Sequence, residues 1–277
     1  MSYIKFFEEI SKEDTKIAGG KGSSLGEMAQ AGIPVPPGFV VTADAFKAFS
    51  GHDFPKELEE EILQAFNGLG ANRVAVRSSA VAEDSTKASW AGQLETYLNI
   101  GRGELIENIQ KCWDSIKSER ALSYATDKNL SEEDLTVAVV VQKMVGSEVS
   151  GVMFTVNPVT ENHNELMIEA TFGLGELLVQ GEITPDNFLV SKNDLKLISE
   201  DIQVKEKKLV FQDGKNTVVE LSGEEGSRRT LSGNQVKELA ELGIKIEKHF
   251  SKPQDIEWAL ENGKFYILQS RPVTTLQ

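Results

Sequence analysis

The C-terminal part of the chain holds a tight-turn signal between two strand-like segments, and this feature constrains the fold most. The dipeptide Asn262-Gly263 lies at its centre and is typical of a β-hairpin turn. Asp255 and Glu257 precede the turn, and Gln269 and Arg271 follow it. Two acids, an amide and a guanidinium on one hairpin suit a metal-bound polyphosphate, because carboxylate and amide oxygens bind Mg²⁺ while the guanidinium neutralises phosphate.

The length of the turn decides which of these side chains share a face of the sheet. A two-residue Asn262-Gly263 turn would place Glu257 and Gln269 on opposite faces. A three-residue loop over residues 261–263 would instead place Asp255 opposite Gln269, with Glu257 on the diagonal, roughly 7–8 Å away between backbones. We therefore predict the three-residue loop. For the hairpin taken alone, an ordinary surface hairpin with alternating polar residues is the alternative.

Composition excludes several classes of function. The 277 residues are 40% hydrophobic, which is enough for a well-buried core, and 43 acidic against 29 basic residues give a net charge of −14. Such a charge repels nucleic acid and anionic membranes, so neither is expected as a partner. One cysteine, Cys112, and the lack of any apolar run of about 18 residues predict a protein of a reducing compartment, the cytoplasm.

Hydrophobic periodicity predicts a mixed α/β fold, with apolar strands alternating with amphipathic helices. We expect a single domain over residues 1–277 in two lobes, approximately 1–135 and 136–277, because no flexible linker separates them. Helices are predicted over residues 23 or 24 to 31, 43–49, 52–67, 103–126 and 232–249. The first would start with a capping box formed by Ser24 and Glu27.

Residues 19–24, with the sequence Gly-Gly-Lys-Gly-Ser-Ser, resemble a phosphate loop at a helix N-terminus, where free amides favour anions. They are not a Walker A motif, because Thr15 stands where that motif needs glycine and Gly22 follows Lys21 in place of Ser or Thr. A simple helix start with a surface lysine is an equal alternative.

Other candidate residues are weaker when taken singly. Arg77 ends an apolar strand, where an arginine is often only paired with a neighbouring acid. The small-residue loop over 85–92 could cover phosphates or be a surface connection, and Gly173-Leu174-Gly175 is better explained as a turn than as a cofactor loop. The three histidines, His52, His163 and His249, lack the spacing of a zinc site or a catalytic triad.

Eight segments in the same order resemble the ATP-binding domain family shared by phosphoenolpyruvate synthase, pyruvate phosphate dikinase and rifampicin phosphotransferase. These segments are residues 19–28, 33–39, 76–85, 91–96, 141–145, 150–155, 255–258 and 268–272. The resemblance spans almost the whole chain, and around Arg77 it is greater to the synthase and rifampicin enzymes than to the dikinase. It implies an ATP-grasp fold, in which two α/β lobes close on the nucleotide.

The resemblance also implies roles for residues at matching positions. Lys21, Arg77 and Arg271 would be the phosphate-binding and catalytic cations, and Glu257 and Gln269 the magnesium ligands. Further nucleotide contacts would come from the auxiliary acid Asp255, from Gly92 and Thr96 over the phosphates, and from Gln142, Met144 and Val145 in the adenine pocket.

In those enzymes the phosphate passes from ATP to a histidine on a swivelling domain, and no histidine here matches that motif. The expected function is a magnesium- and ATP-binding phosphotransferase domain that donates phosphate to a histidine carrier, supplied in trans or by missing sequence. The overall reaction would convert pyruvate, ATP and water to phosphoenolpyruvate, AMP and phosphate. The alternatives are a catalytically idle ATP sensor or interaction module, and the ATP-binding domain of an antibiotic phosphotransferase.

Overall fold

The computed structural model describes residues 2–81, 95–128, 130–131 and 135–273. The chain divides into two compact units, Met1–Met144 and Val145–Gln277, and each has a sheet of its own. The predicted mixed α/β class is confirmed. Within the described ranges, no helix has the length and apolar character needed to cross a membrane.

The first unit is a five-stranded antiparallel sheet in the order β1-β2-β5-β3-β4, with helices on both faces. Its elements are β1 (Ile4–Phe6), α1 (Thr15–Gln30), β2 (Gly38–Val41), α2 (Ala43–Phe49), α3 (Lys56–Gly68), β3 (Val74–Ala80), β4 (Thr96–Ile100), α4 (Leu105–Ser115), α5 (Glu119–Asp127) and β5 (Val137–Lys143).

The second unit is a six-stranded antiparallel sheet in the order β13-β12-β6-β7-β8-β9, with a separate β10-β11 hairpin. Its elements are β6 (Val149–Phe154), β7 (Glu165–Phe172), α6 (Glu176–Val179), β8 (Asp186–Ser191), β9 (Leu197–Asp201), β10 (Lys207–Gln212), β11 (Lys215–Glu220), α7 (Gly223–Gly226), α8 (Gly233–Phe250), β12 (Gln254–Glu261) and β13 (Lys264–Pro272).

Two adjacent serines of β3 show how the faces of the first sheet are covered. The Ser79 hydroxyl donates to the carbonyl of Ala18 in α1, at 2.8 Å, whereas the Ser78 hydroxyl donates to the carbonyl of Cys112 in α4, at 3.3 Å. Because neighbouring residues of a strand point to opposite faces, α1 and α4 lie on opposite sides of the sheet. A hydrophobic core cluster lies on the α4 side and contains Val139 of the central strand.

Three of the predicted helices agree closely with the structure. Helix α2 has the predicted bounds, α3 begins a few residues later than expected, and α8 begins directly after Ser232. The Ser232 hydroxyl accepts a hydrogen bond from the amide of Gln235, as expected of an N-cap.

Two predicted helices are wrong in their bounds. Helix α1 begins at Thr15 and is kinked at Gly19, which has a φ of 70°, and the carboxylate of Glu27 binds the amide of Lys12 in place of a local capping box. The predicted helix over 103–126 is broken into α4 and α5. At the break Ser118 caps α5 by accepting from the amide of Ala121, and a continuous apolar stripe does not reveal such a cap.

A buried ion pair attaches the segment over residues 203–230, which contains β10, β11 and α7, to strand β8 of the second sheet. Lys205 and Asp186 are both fully buried and joined directly. The Lys205 ammonium also donates to the carbonyls of Gln203 and Arg228, and Asp186 also accepts from the amide and hydroxyl of Thr230. The pair therefore has the additional hydrogen bonds that a buried charge requires.

Candidate functional site

The terminal hairpin turns in two residues, so the predicted three-residue loop is wrong. Asn262 and Gly263 both have positive φ values, 50° and 72°, and Glu261 pairs directly with Lys264. Positive φ at both central positions is the geometry that Asn-Gly favours, because its twist matches that of the flanking strands.

A β-bulge farther along the hairpin then changes the register. Trp258 pairs with Ile267, but the next residue, Glu257, pairs with Gln269, so Leu268 is the extra residue. Glu257 and Gln269 consequently share a face, and Asp255 lies opposite Arg271 rather than opposite Gln269 as predicted.

Directly opposed residues have Cβ atoms about 4.5–5.5 Å apart. The carboxylate and the amide expected to bind magnesium are thus closer neighbours than the predicted diagonal would make them.

Asp255 holds the side chain of Arg271 on this face. One carboxylate oxygen of Asp255 accepts from Nε of Arg271 at 2.9 Å and lies 2.8 Å from a terminal nitrogen of the same guanidinium. Burial raises the pKa of Asp255, the Arg271 charge and hydrogen bond oppose that rise, and the charge of Glu257 adds to it. Asp255 is therefore an orienting partner for the arginine, a more specific role than that of an auxiliary acid.

The donor set on the hairpin fits a magnesium ion that arrives with a nucleotide. In the described ranges, no group of three or more His, Cys, Asp or Glu side chains could hold a metal ion. Magnesium bound with nucleotides uses one or two carboxylates together with phosphate oxygens and water. The oxygens of Glu257 and Gln269, which pair directly across the hairpin, meet that requirement.

In the first unit, three predicted nucleotide contacts share the α1 side of the sheet. Arg77 pairs directly with Thr96 on β4 and with Val140 on β5, and Gln142 lies two residues beyond Val140 on the same face. The side chains of Arg77 and Gln142 are buried, at 7% and 2% exposure. Among the described residues, the amide nitrogen of Gln142 has no hydrogen-bond partner. A buried amide donor of this kind costs stability unless a ligand accepts from it.

Lys21 lies in α1, just beyond the kink, rather than in a loop before a helix. The amide of the next residue, Gly22, donates to the hydroxyl of Ser79, which is two residues beyond Arg77, so Lys21 and Arg77 belong to adjoining parts of the α1–β3 contact. A Cβ on Gly19 would lie 2.2 Å from the backbone oxygen of Ser79. The glycines of this segment therefore have a packing role, whatever Lys21 binds.

The remaining predicted contacts lie in different settings. Gly92 and the small-residue loop over 85–92 fall outside the described residues. Met144 follows β5 and its amide donates to the carbonyl of Arg73, at 3.1 Å, while Val145 is buried.

Sequence reasoning missed Glu169, which lies on β7. Burial raises the pKa of its carboxyl group, and the negative charge of Asp255 raises it further. The sequence signal that could have indicated Glu169 is the alternation of side chains along β7, which places residues 167, 169 and 171 on one face of the strand.

Comparison with known proteins identifies the family. The family described as "Pyruvate phosphate dikinase, AMP/ATP-binding domain" matches residues 15–53 and 47–277. A probable phosphoenolpyruvate synthase of Methanocaldococcus jannaschii is 43% identical over 100% of this chain and 27% of its own length. The phosphoenolpyruvate synthase of Pyrococcus furiosus is 39% identical over 99% of this chain and 44% of its own length.

The chain thus spans less than half the length of these relatives. A D-alanine-D-alanine ligase of Helicobacter pylori superimposes on 90% of this chain and 52% of its own, with 11% identity and a TM-score of 0.38, which is too distant to bear on function. The family match includes residues of both units and all eight segments that resemble the ATP-binding domain family. The chain belongs to the family of the pyruvate phosphate dikinase AMP/ATP-binding domain.

Proposed function

We propose that this chain binds Mg-ATP and donates phosphate from it to a histidine carrier, as part of a phosphoenolpyruvate synthase reaction. The observation that carries the proposal is the register of the hairpin. It brings Glu257 opposite Gln269 and, on the same face, Asp255 opposite Arg271. Two oxygen ligands beside an oriented guanidinium are the groups that a magnesium-bound polyphosphate needs.

Charge neutralisation is the main task of a phosphoryl-transfer site, since the transferred group requires positioning rather than covalent help from the protein. Arg271 is held for this task by Asp255. Lys21 and Arg77 supply the cations of the first unit. Bound magnesium would add charge neutralisation at the phosphate oxygens, with Glu257 and Gln269 as its protein ligands.

Recognition of the base is assigned to the end of β5. The buried amide of Gln142 can donate to a ring nitrogen of adenine, which would satisfy a group that has no protein partner in the described ranges. Met144 and Val145 supply apolar surface next to it. Thr96, opposite Arg77, and Gly92 would contact the phosphates.

The carrier histidine is proposed to come from another chain or from further sequence. None of the three histidines of this chain lies in the motif expected of a phosphate carrier. The relatives named phosphoenolpyruvate synthase are more than twice the length that this chain covers. The acceptor of the phosphate, pyruvate in those enzymes' reaction, is likewise assigned to sequence other than this.

Calorimetric titration with ATP, with and without magnesium, tests the nucleotide part of the proposal. We expect magnesium-dependent binding by the native chain, weakened about 10- to 100-fold in Glu257→Gln because one of few metal ligands loses its charge. Glu220→Gln is the matched control, since Glu220 is an exposed strand acid of the same unit. Equal affinities for the two variants would refute the hairpin assignment.

The transfer part requires a separate measurement. The native chain is incubated with ATP alone, and then with a purified carrier domain from a phosphoenolpyruvate synthase, and AMP is quantified by chromatography. We expect little AMP without the carrier. With the carrier we expect AMP, inorganic phosphate and acid-labile protein phosphate in equal amounts, because ATP, water and the histidine together give AMP, phosphate and phosphohistidine. Magnesium-dependent ATP binding without any transfer to the carrier would instead identify an idle nucleotide sensor.

A further inference from the structure

Glu169 lies in the same transverse row of the second sheet as the proposed magnesium ligands. Across the strands, directly paired residues form the row Gln269, Glu257, Val152, Glu169, Asn187 and Asp201. Directly paired residues share a face, so all six side chains are on one side of the sheet. Glu169 is two strands from Glu257, which corresponds to roughly 10 Å between their backbones.

This face is not the one that supports the core of the second unit. The alternate residues Met153 and Ile168 are fully buried on the opposite face, and a Cβ on Gly243 of α8 would lie 2.7 Å from Met153. Helix α8 therefore packs on that opposite face. The row that contains Glu169 and Glu257 belongs to the other side of the sheet.

The carboxylate of Glu169 has no compensating partner among the residues that the structure describes. It is half-buried, and among the described residues it makes no hydrogen bond and no ion pair. Its direct neighbours across the strands are the apolar Val152 and the uncharged Asn187, neither of which offsets its charge. Burial raises its pKa, and the negative charge of Asp255 does so as well. A partly desolvated carboxylate beside a second acid is unfavourable unless a cation offsets its charge.

We propose that Glu169 is a positioning residue for the nucleotide-bound cation: through its charge and through water, it stabilises the divalent ion that Glu257 and Gln269 hold. This inference rests on the proposed function. Magnesium retains several water ligands when it binds with a nucleotide, and these waters are the donors that a more distant carboxylate can accept from.

Glu169 therefore determines the concentration of free magnesium that is required for nucleotide binding. Loss of its charge should weaken retention of the cation without changing the contacts to base or ribose. From Coulomb's law for a divalent ion about 10 Å away at the protein surface, the expected effect is roughly 5- to 20-fold in magnesium requirement. Salt should reduce the effect, because ions screen charges at this separation.

The test is calorimetric ATP binding as a function of free magnesium, made on the native chain and on three single variants. We expect Glu169→Gln to need roughly 5- to 20-fold more magnesium for half-maximal binding, with nearly native affinity at saturating magnesium. Glu169→Asp should recover most of the native requirement, because it restores the charge. Asp201→Asn is the matched control, since Asp201 is in the same row but four strands from Glu257.

A second readout separates the cation from the nucleotide. Paramagnetic resonance of Mn²⁺, added as the probe with ATP, should show more free Mn²⁺ for Glu169→Gln than for the native chain or Asp201→Asn. Thermal unfolding of each variant reports its folding, and a purely structural role for Glu169 would change unfolding alone. Equal magnesium requirements for Glu169→Gln and Asp201→Asn would overturn the inference. If instead the native chain bound no Mg-ATP, the proposed function itself would fail.

Discussion

The glycine-rich segment of α1 and the terminal hairpin both carry residues that we propose to bind phosphate or its metal ion, but the backbone constrains the two segments for different reasons. At α1 the glycines permit close packing, since a Cβ at Gly19 would overlap the backbone of Ser79. At the hairpin an extra residue, Leu268, brings Glu257 opposite Gln269. The glycines of α1 are therefore required mainly for packing and stability. The bulge of the hairpin instead determines which polar side chains lie opposite each other.

Substitution at α1 should have the largest effect on stability. Gly19→Ala places a Cβ 2.2 Å from the Ser79 oxygen at a positive φ of 70°. We expect the free energy of unfolding to fall by about 3–5 kcal/mol, from the overlap and the backbone strain together. Chemical denaturation measures it. Gly68→Ala is the control, because a Cβ there meets nothing within 4 Å, and it should be neutral or slightly stabilising. Equal stability of the two variants would contradict the packing role.

Insertion or deletion of a residue at the bulge tests the role of the hairpin register in nucleotide binding. Insertion of one alanine after Leu268 moves Gln269 away from Glu257, so magnesium-dependent ATP affinity should fall about 10- to 100-fold. Deletion of Leu268 removes the bulge but leaves Gln269 as the next residue opposite Glu257, and it should preserve more of the affinity. Calorimetry compares the two. A deletion as harmful as the insertion would show that the bend of the bulge, rather than the pairing, is what matters.

The smallest effect concerns the contribution of Glu169 to stability. Because the pKa of Glu169 is raised in the folded protein, the folded state binds its proton more tightly than the unfolded state does. Its contribution to stability therefore falls as pH rises above the ordinary value of about 4.3 for glutamate. Glu169→Gln should raise the melting temperature at pH 7 by about 1–2 °C. The difference should shrink towards pH 4, and a gain independent of pH would exclude the charge as its cause.

Sequence reasoning found the residues of the hairpin but not their arrangement. The Asn-Gly signal indicated a turn correctly, yet nothing in residues 264–272 marks Leu268 as the extra one. The bulge lies beside a buried core, where Trp258 and Ile267 are fully buried on the opposite face. The packing of Trp258 and Ile267 on that face fixes the register of the strands at this position. Such packing is a tertiary property, which a local sequence pattern does not contain.

Tertiary contacts, which a local sequence pattern does not contain, also explain the other differences between the predictions and the structure. The glycines of α1 have low helix propensity, so a loop was expected, but contact with β3 stabilises a kinked helix there. Glu169 was not recognised because an acid on the alternating face of a strand is ordinary by itself. Only the order of strands in the sheet places it in the row of Glu257.

The buried pair of Lys205 and Asp186 has a consequence for how the chain can be opened. At one end of the segment over residues 203–230, Asp186 binds the amide of Gln203 and the ammonium of Lys205. At the other end of this segment, Asp186 binds the amide and hydroxyl of Thr230. Both ends are thus attached to β8 independently of the peptide that joins them. The exposed turn at Asp213 and Gly214 is consequently a natural point for cleavage, since a chain cut there would keep each flank attached to the sheet.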